Sequence, residues 1–113
     1  MFAVCRADEL APGESTRFIA DVPIAVFNAD GVFYAVDDTC THQDASLSAG
    51  FLEGCFVECP LHAAFFDLRS GAPTGLPAKR ALRTHQVLVE GGTVYVQLTP
   101  REVELPLEAE GAA

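Results

Sequence analysis

Cys40-Thr41-His42 and Cys59-Pro60-Leu61-His62 each place one thiol and one imidazole within a single tight turn, and sixteen residues separate the two pairs. The chain holds only four Cys and three His. Repeating Cys before His in two short segments therefore uses most of what the sequence has, and reads as a ligand pattern. Two such loops can close on one metal centre from opposite sides.

Two metal chemistries suit a Cys2His2 set. A structural zinc ion takes two thiolates and two imidazoles in a tetrahedron and is indifferent to which loop supplies which. A [2Fe-2S] cluster with mixed ligands has one iron on two Cys and the other on two His. It needs each loop to send one ligand to each iron, and two side-by-side loops that both read Cys then His sort sulfur and nitrogen in that way. Zinc fingers more commonly group Cys with Cys and His with His. The order of ligands favours the cluster over zinc, and both over a coincidence of core residues.

Further segments accompany the ligands: Val36-Asp37-Asp38-Thr39-Cys40-Thr41-His42, Ser46-Leu47-Ser48-Ala49-Gly50, Phe66-Asp67-Leu68-Arg69-Ser70-Gly71-Ala72-Pro73, Leu76-Pro77-Ala78, Leu82-Arg83-Thr84 and the run from Val87 to Val96. Over about residues 2 to 98 the chain resembles the Rieske family, and within it the small Rieske-type ferredoxins of bacterial aromatic-ring dioxygenases. The resemblance implies a [2Fe-2S] cluster on Cys40, His42, Cys59 and His62, with both imidazoles exposed and bound through Nδ1. It also implies a covering role for Gly71 to Pro77 and two partners, a flavin-dependent ferredoxin reductase and a terminal Rieske oxygenase.

Departures narrow the subtype. Rieske proteins of the cytochrome bc type carry an extra Cys on each ligand loop, joined as a disulfide, and a Ser two residues after the second His. Here those positions are Ala45, Leu61 and Ala64. Fewer hydrogen bonds to the cluster lower its potential. Two thiolates leave an oxidised two-iron, two-sulfide centre neutral where four would leave it anionic, so the potential should still exceed that of plant-type ferredoxins. A midpoint of roughly −200 to −50 mV is expected.

At 113 residues the chain is a single domain, 1–113. Oxygenase catalytic subunits need a further iron on two His and a carboxylate, and only His85 remains. The chain is thus expected to be an electron carrier and not an enzyme. A formal charge of −9 disfavours nucleic acid and suits partners with basic faces. No stretch approaches a membrane span, and the N-terminus shows no signal-peptide pattern, so a cytoplasmic monomer is expected. Cys5 and Cys55 read as small core residues and not as a disulfide. His85 reads as a partly exposed structural residue.

Alternation and β-branched runs predict strands over 17–20, 23–28, 32–36, 56–58, 64–68, 86–90 and 93–98, with helical turns at 8–10 and 45–48. Turn signals fall at Asn28-Ala29-Asp30-Gly31, Arg69-Ser70-Gly71 and Gly91-Gly92. The fold class is all-β, a Rieske-like antiparallel sandwich of stacked sheets. A cluster-binding subdomain of about 38–78 would be inserted in a β base made from 1–37 and 79–105, with 106–113 disordered. Two further readings stand beside the shuttle: a structural zinc module, and a small Rieske-like subunit of another reductase such as nitrite reductase, whose members commonly lack the ligands kept here.

Overall fold

The computed structural model describes residues 1–40, 45–60, 65–74 and 80–100. Among them are nine strands: β1 (Phe2–Arg6), β2 (Ser15–Ile19), β3 (Pro23–Ala29), β4 (Val32–Asp37), β5 (Phe51–Glu53), β6 (Phe56–Glu58), β7 (Phe65–Asp67), β8 (Thr84–Glu90) and β9 (Thr93–Gln97). Every pairing is antiparallel. Six strands form one sheet in the order β1-β9-β8-β4-β3-β2, and β5-β6-β7 form a second. The all-β expectation therefore holds.

The sequence reading omitted β1 and β5. It placed the other strands within one or two residues of their observed bounds, and Ala64, its proposed start for β7, lies outside the described residues. Both expected helical turns are short 3-10 turns, Ala7–Glu9 and Leu47–Ala49. The β3–β4 hairpin turns on Asp30 and Gly31, with φ of 54° and 95°, as a tight two-residue connection matching strand twist requires. The tail from residue 101 onward lies outside the described residues.

β3 organises the interior because it is covered on both faces. Ile24 and Val26 point into one core with Leu10, Ala35, Val94 and Val96. Ala25, Phe27 and Ala29 point into another with Val36, Leu47, Val57, Phe66, Leu68 and Leu82. The apolar run that would be half wasted on a one-sided strand is used twice. Each fully buried Val, Leu, Ile or Phe contributes about 1.5–3 kcal/mol. Because β9 supplies the first core and the small sheet the second, the β3–β4 hairpin is the middle layer of the molecule. No helix among the described residues is long and apolar enough to cross a membrane.

Candidate metal centre

β4 carries the chain to the first ligand segment. As the strand ends, the Asp38 backbone N–H donates to the Pro23 carbonyl at 2.9 Å. A β-bridge between Thr39 and Ser46, and a 2.9 Å hydrogen bond from the Cys40 N–H to the Ala45 carbonyl, then tie together the described residues on either side of 41–44. The second segment is the β6–β7 connection. Glu58 pairs with Phe65, so the chain leaves the small sheet at Cys59.

Cys40 and Cys59 are 4% and 2% exposed and belong to the same buried cluster. Neither forms a disulfide. His42 and His62 lie outside the described residues, so the structure brings together the two sulfur donors of the expected set. The segments also meet through their backbones. A Cβ on Gly50 would sit 2.0 Å from the Glu58 carbonyl oxygen, so only glycine allows the exit from the first segment to pass this close to the residue before Cys59.

This donor set fits an iron-sulfur centre. Two thiols held among apolar side chains are costly places for uncompensated thiolates, and suitable ones for thiolates neutralised by metal. Each is also followed within three residues along the sequence by the imidazole expected to accompany it.

Three features were not read from the sequence. Asp38 is a buried carboxylate, 2% exposed, whose Oδ1 accepts the Ser48 N–H at 2.8 Å and whose Oδ2 accepts the Ser46 hydroxyl at 2.5 Å. Gly50 is a steric requirement, as above. His85 is not partly exposed: its side chain is fully buried, because Asp37 and the Thr99 backbone occupy both ring nitrogens. An acid two residues before Cys40, followed by two serines, was the available signal for Asp38. Cys5 and Cys55 are half-buried, and Cys5 packs against the β9-side core.

The expected cover begins as an extension beside β7. Pro73 bridges to Phe66, the Asp67 N–H donates to Ala72, and the Thr74 N–H donates to Phe65, both at 2.9 Å. Its neck is shut where the Leu82 N–H donates to the Gly71 carbonyl at 2.8 Å. Residues 75–79, the rest of that segment, lie outside the described residues.

Residues 1–86 match the Rieske [2Fe-2S] domain family. The chain belongs to that family. As a Rieske domain it carries a [2Fe-2S] cluster, which decides between the two metals that the ligand types alone allowed. It is 45% identical over 95 residues to the 3-phenylpropionate/cinnamic acid dioxygenase ferredoxin subunit of Escherichia coli (strain K12), covering 83% of this chain and 90% of that one. Among solved structures, this Rieske chain is similar to the ferredoxin of carbazole 1,9a-dioxygenase from Nocardioides aromaticivorans IC177, with a TM-score of 0.82, 35% identity, and coverage of 87% and 97%. It is also similar to a chain in the complex of reduced oxygenase and oxidized ferredoxin of carbazole 1,9a-dioxygenase, with a TM-score of 0.81, 40% identity, and coverage of 85% and 100%.

Proposed function

We propose that this protein is a one-electron carrier, taking electrons from an NAD(P)H-dependent flavin reductase and delivering them to a terminal aromatic-ring-hydroxylating oxygenase. Cys40 and Cys59 hold one iron of its cluster, and His42 and His62 hold the other. The convergence of both thiols in one buried cluster, with the segments in backbone contact at Gly50 and Glu58, carries the reading. The ferredoxin-subunit relatives and the oxygenase–ferredoxin complex support the partner class.

When bound, the cluster supplies reversible uptake of a single electron. The chain excludes water from the two sulfur ligands and fixes their loops at both ends, limiting rearrangement when charge changes. It offers no machinery for oxygen chemistry among its described residues, since His85 is engaged with Asp37. Residues 38–78 act as the cluster-binding part on a base of 1–37 and 79–105. A net charge of −9 suits encounter with basic partner faces. Four cysteines without a disulfide suit a reducing cytoplasm, where the protein acts as a monomer.

The test is anaerobic reconstitution followed by iron and sulfide analysis and electron paramagnetic resonance (EPR) of the reduced protein. Two irons and two sulfides per chain, lost in Cys59→Ala and His62→Ala, are expected. Added back to a purified reductase and aromatic-ring oxygenase, the loaded protein should restore NAD(P)H-dependent turnover. A colourless protein with one zinc, or full cluster content in Cys59→Ala, would overturn the assignment.

A further inference from the structure

Asp38 is one of the few charged groups removed from solvent, at 2% exposure. It leaves β4 beside Asp37, but points the other way, toward the first ligand segment. Its side chain accepts from Ser48 N–H and Ser46 Oγ, and its backbone carbonyl accepts from Leu47 N–H at 2.7 Å. The Ser46 and Ser48 hydroxyls lie 2.9 Å apart, and the Ser48 carbonyl accepts from the Ser15 hydroxyl of β2 at 2.9 Å. One residue thus ties the stretch entering the loop to the stretch leaving it. Among the described residues its side-chain contacts are with donors, which suits a carboxylate. Among the described residues the cation paired with it is Arg17, at 3.8 Å and half exposed to water, which screens its effect.

Two residues of extended chain span at most about 7 Å, so Asp38 and Cys40 are necessarily close. A negative charge with little solvent around it opposes arrival of an electron nearby. We propose that Asp38 is a positioning residue for the Cys40 loop whose buried charge also holds the reduction potential of the centre down, with Arg17 partly offsetting it. The inference rests on the ligand assignment above. It goes beyond that assignment by naming a residue outside the ligand set that tunes the carrier.

Asp38→Asn keeps the shape and can still accept from the Ser48 N–H, but removes the charge. Arg17→Gln removes the opposing charge from a half-exposed site. Each is loaded with iron and sulfide, and its midpoint is measured by protein-film voltammetry at fixed ionic strength, alongside its EPR spectrum and iron content. Asp38→Asn should move the midpoint positive and Arg17→Gln negative by less, both with a two-iron spectrum. Asp38→Ala, which loses both loop bonds, should also reduce iron content.

Purely structural damage would not produce shifts of opposite sign. An unchanged or negative midpoint in Asp38→Asn, or an Arg17→Gln shift in the positive direction, would overturn the proposal. If Asp38→Asn fails to fold, the sign of the Arg17→Gln shift alone decides it. Failure of the underlying ligand reading looks different: wild-type protein would then lack the two-iron spectrum altogether.

Discussion

His85 Nε2 lies 2.9 Å from Asp37 Oδ1, while His85 Nδ1 accepts the Thr99 backbone N–H at 3.0 Å. That second bond assigns the proton to Nε2 and makes the ring a donor to Asp37. The same Oδ1 accepts from Arg83 Nε at 3.1 Å, and Arg83 reaches on to both oxygens of Asp21 and to the Thr99 carbonyl. The network clasps β8 and the residues after β9 to β4 at the point where the chain departs for the first ligand segment.

Asp37→Ala should therefore be costly. It leaves the His85 N–H without its acceptor at a fully buried site, and removes one partner of Arg83. A loss of about 1–3 kcal/mol is expected from chemical denaturation of the loaded protein. A change under about 0.5 kcal/mol, typical of an exposed substitution, would show that the clasp contributes nothing.

Gly50 and Gly71 are predicted to be intolerant of alanine for steric reasons. The added Cβ would lie 2.0 Å from the Glu58 carbonyl oxygen at Gly50 and 2.2 Å from the Leu82 carbonyl oxygen at Gly71, where φ of +79° adds strain. Backbone shifts forced by such overpacking cost about 1–3 kcal/mol. Gly50→Ala should also lower cluster content, because the displaced carbonyl belongs to the residue before Cys59. Wild-type iron content and an unshifted melting midpoint in Gly50→Ala would contradict this.

Acid sensitivity has an identifiable contributor on β7. Hydrogen bonds from the Arg69 side chain and backbone hold the Asp67 carboxyl below its ordinary value. A carboxyl depressed in the folded state contributes stability that is fully present above the unfolded pKa. That contribution is lost as pH falls through the lower folded value. Urea midpoints of wild type and Asp67→Asn should differ near neutral pH and converge below the usual aspartate range. A gap of constant size from pH 6 to pH 2.5 would rule out this contribution.

The midpoint of the wild-type centre should fall between roughly −200 and −50 mV, since Ala45, Leu61 and Ala64 supply neither a loop disulfide nor a hydroxyl donor. Protein-film voltammetry returning a value above about +100 mV would refute it. Chelating the metal should lower the unfolding midpoint as well, because ligands that bind only the folded chain stabilise it. Equal thermal midpoints before and after iron removal would argue that Cys40 and Cys59 need no metal to stay ordered.

Local chemistry made much of this protein legible. Cys and His repeated in the same order pointed to mixed ligation, and the strands from β3 onward followed their apolar runs and turn residues. The exceptions are instructive. β1 is an edge strand paired with β9 at the far end of the chain, and its register shifts between Ala3 and Cys5, so alternation is broken where it would have been read. β5 is three residues long and exists because β6 lies beside it.

Burial of charge was likewise settled in three dimensions. Asp37 and Asp38 are neighbours of identical type, yet one secures His85 and Arg83 while the other disappears beneath Ser46 and Ser48. By itself the amino-acid order offered a Cys and His set chemically suited to iron and determined that the scaffold is β. Tertiary structure alone decided that the sulfur donors share one dry core, that Gly50 must let two backbones touch, and which of two aspartates is buried. The reason is physical: ligand chemistry and strand alternation are written in neighbouring residues, whereas desolvation and close approach depend on segments distant along the chain.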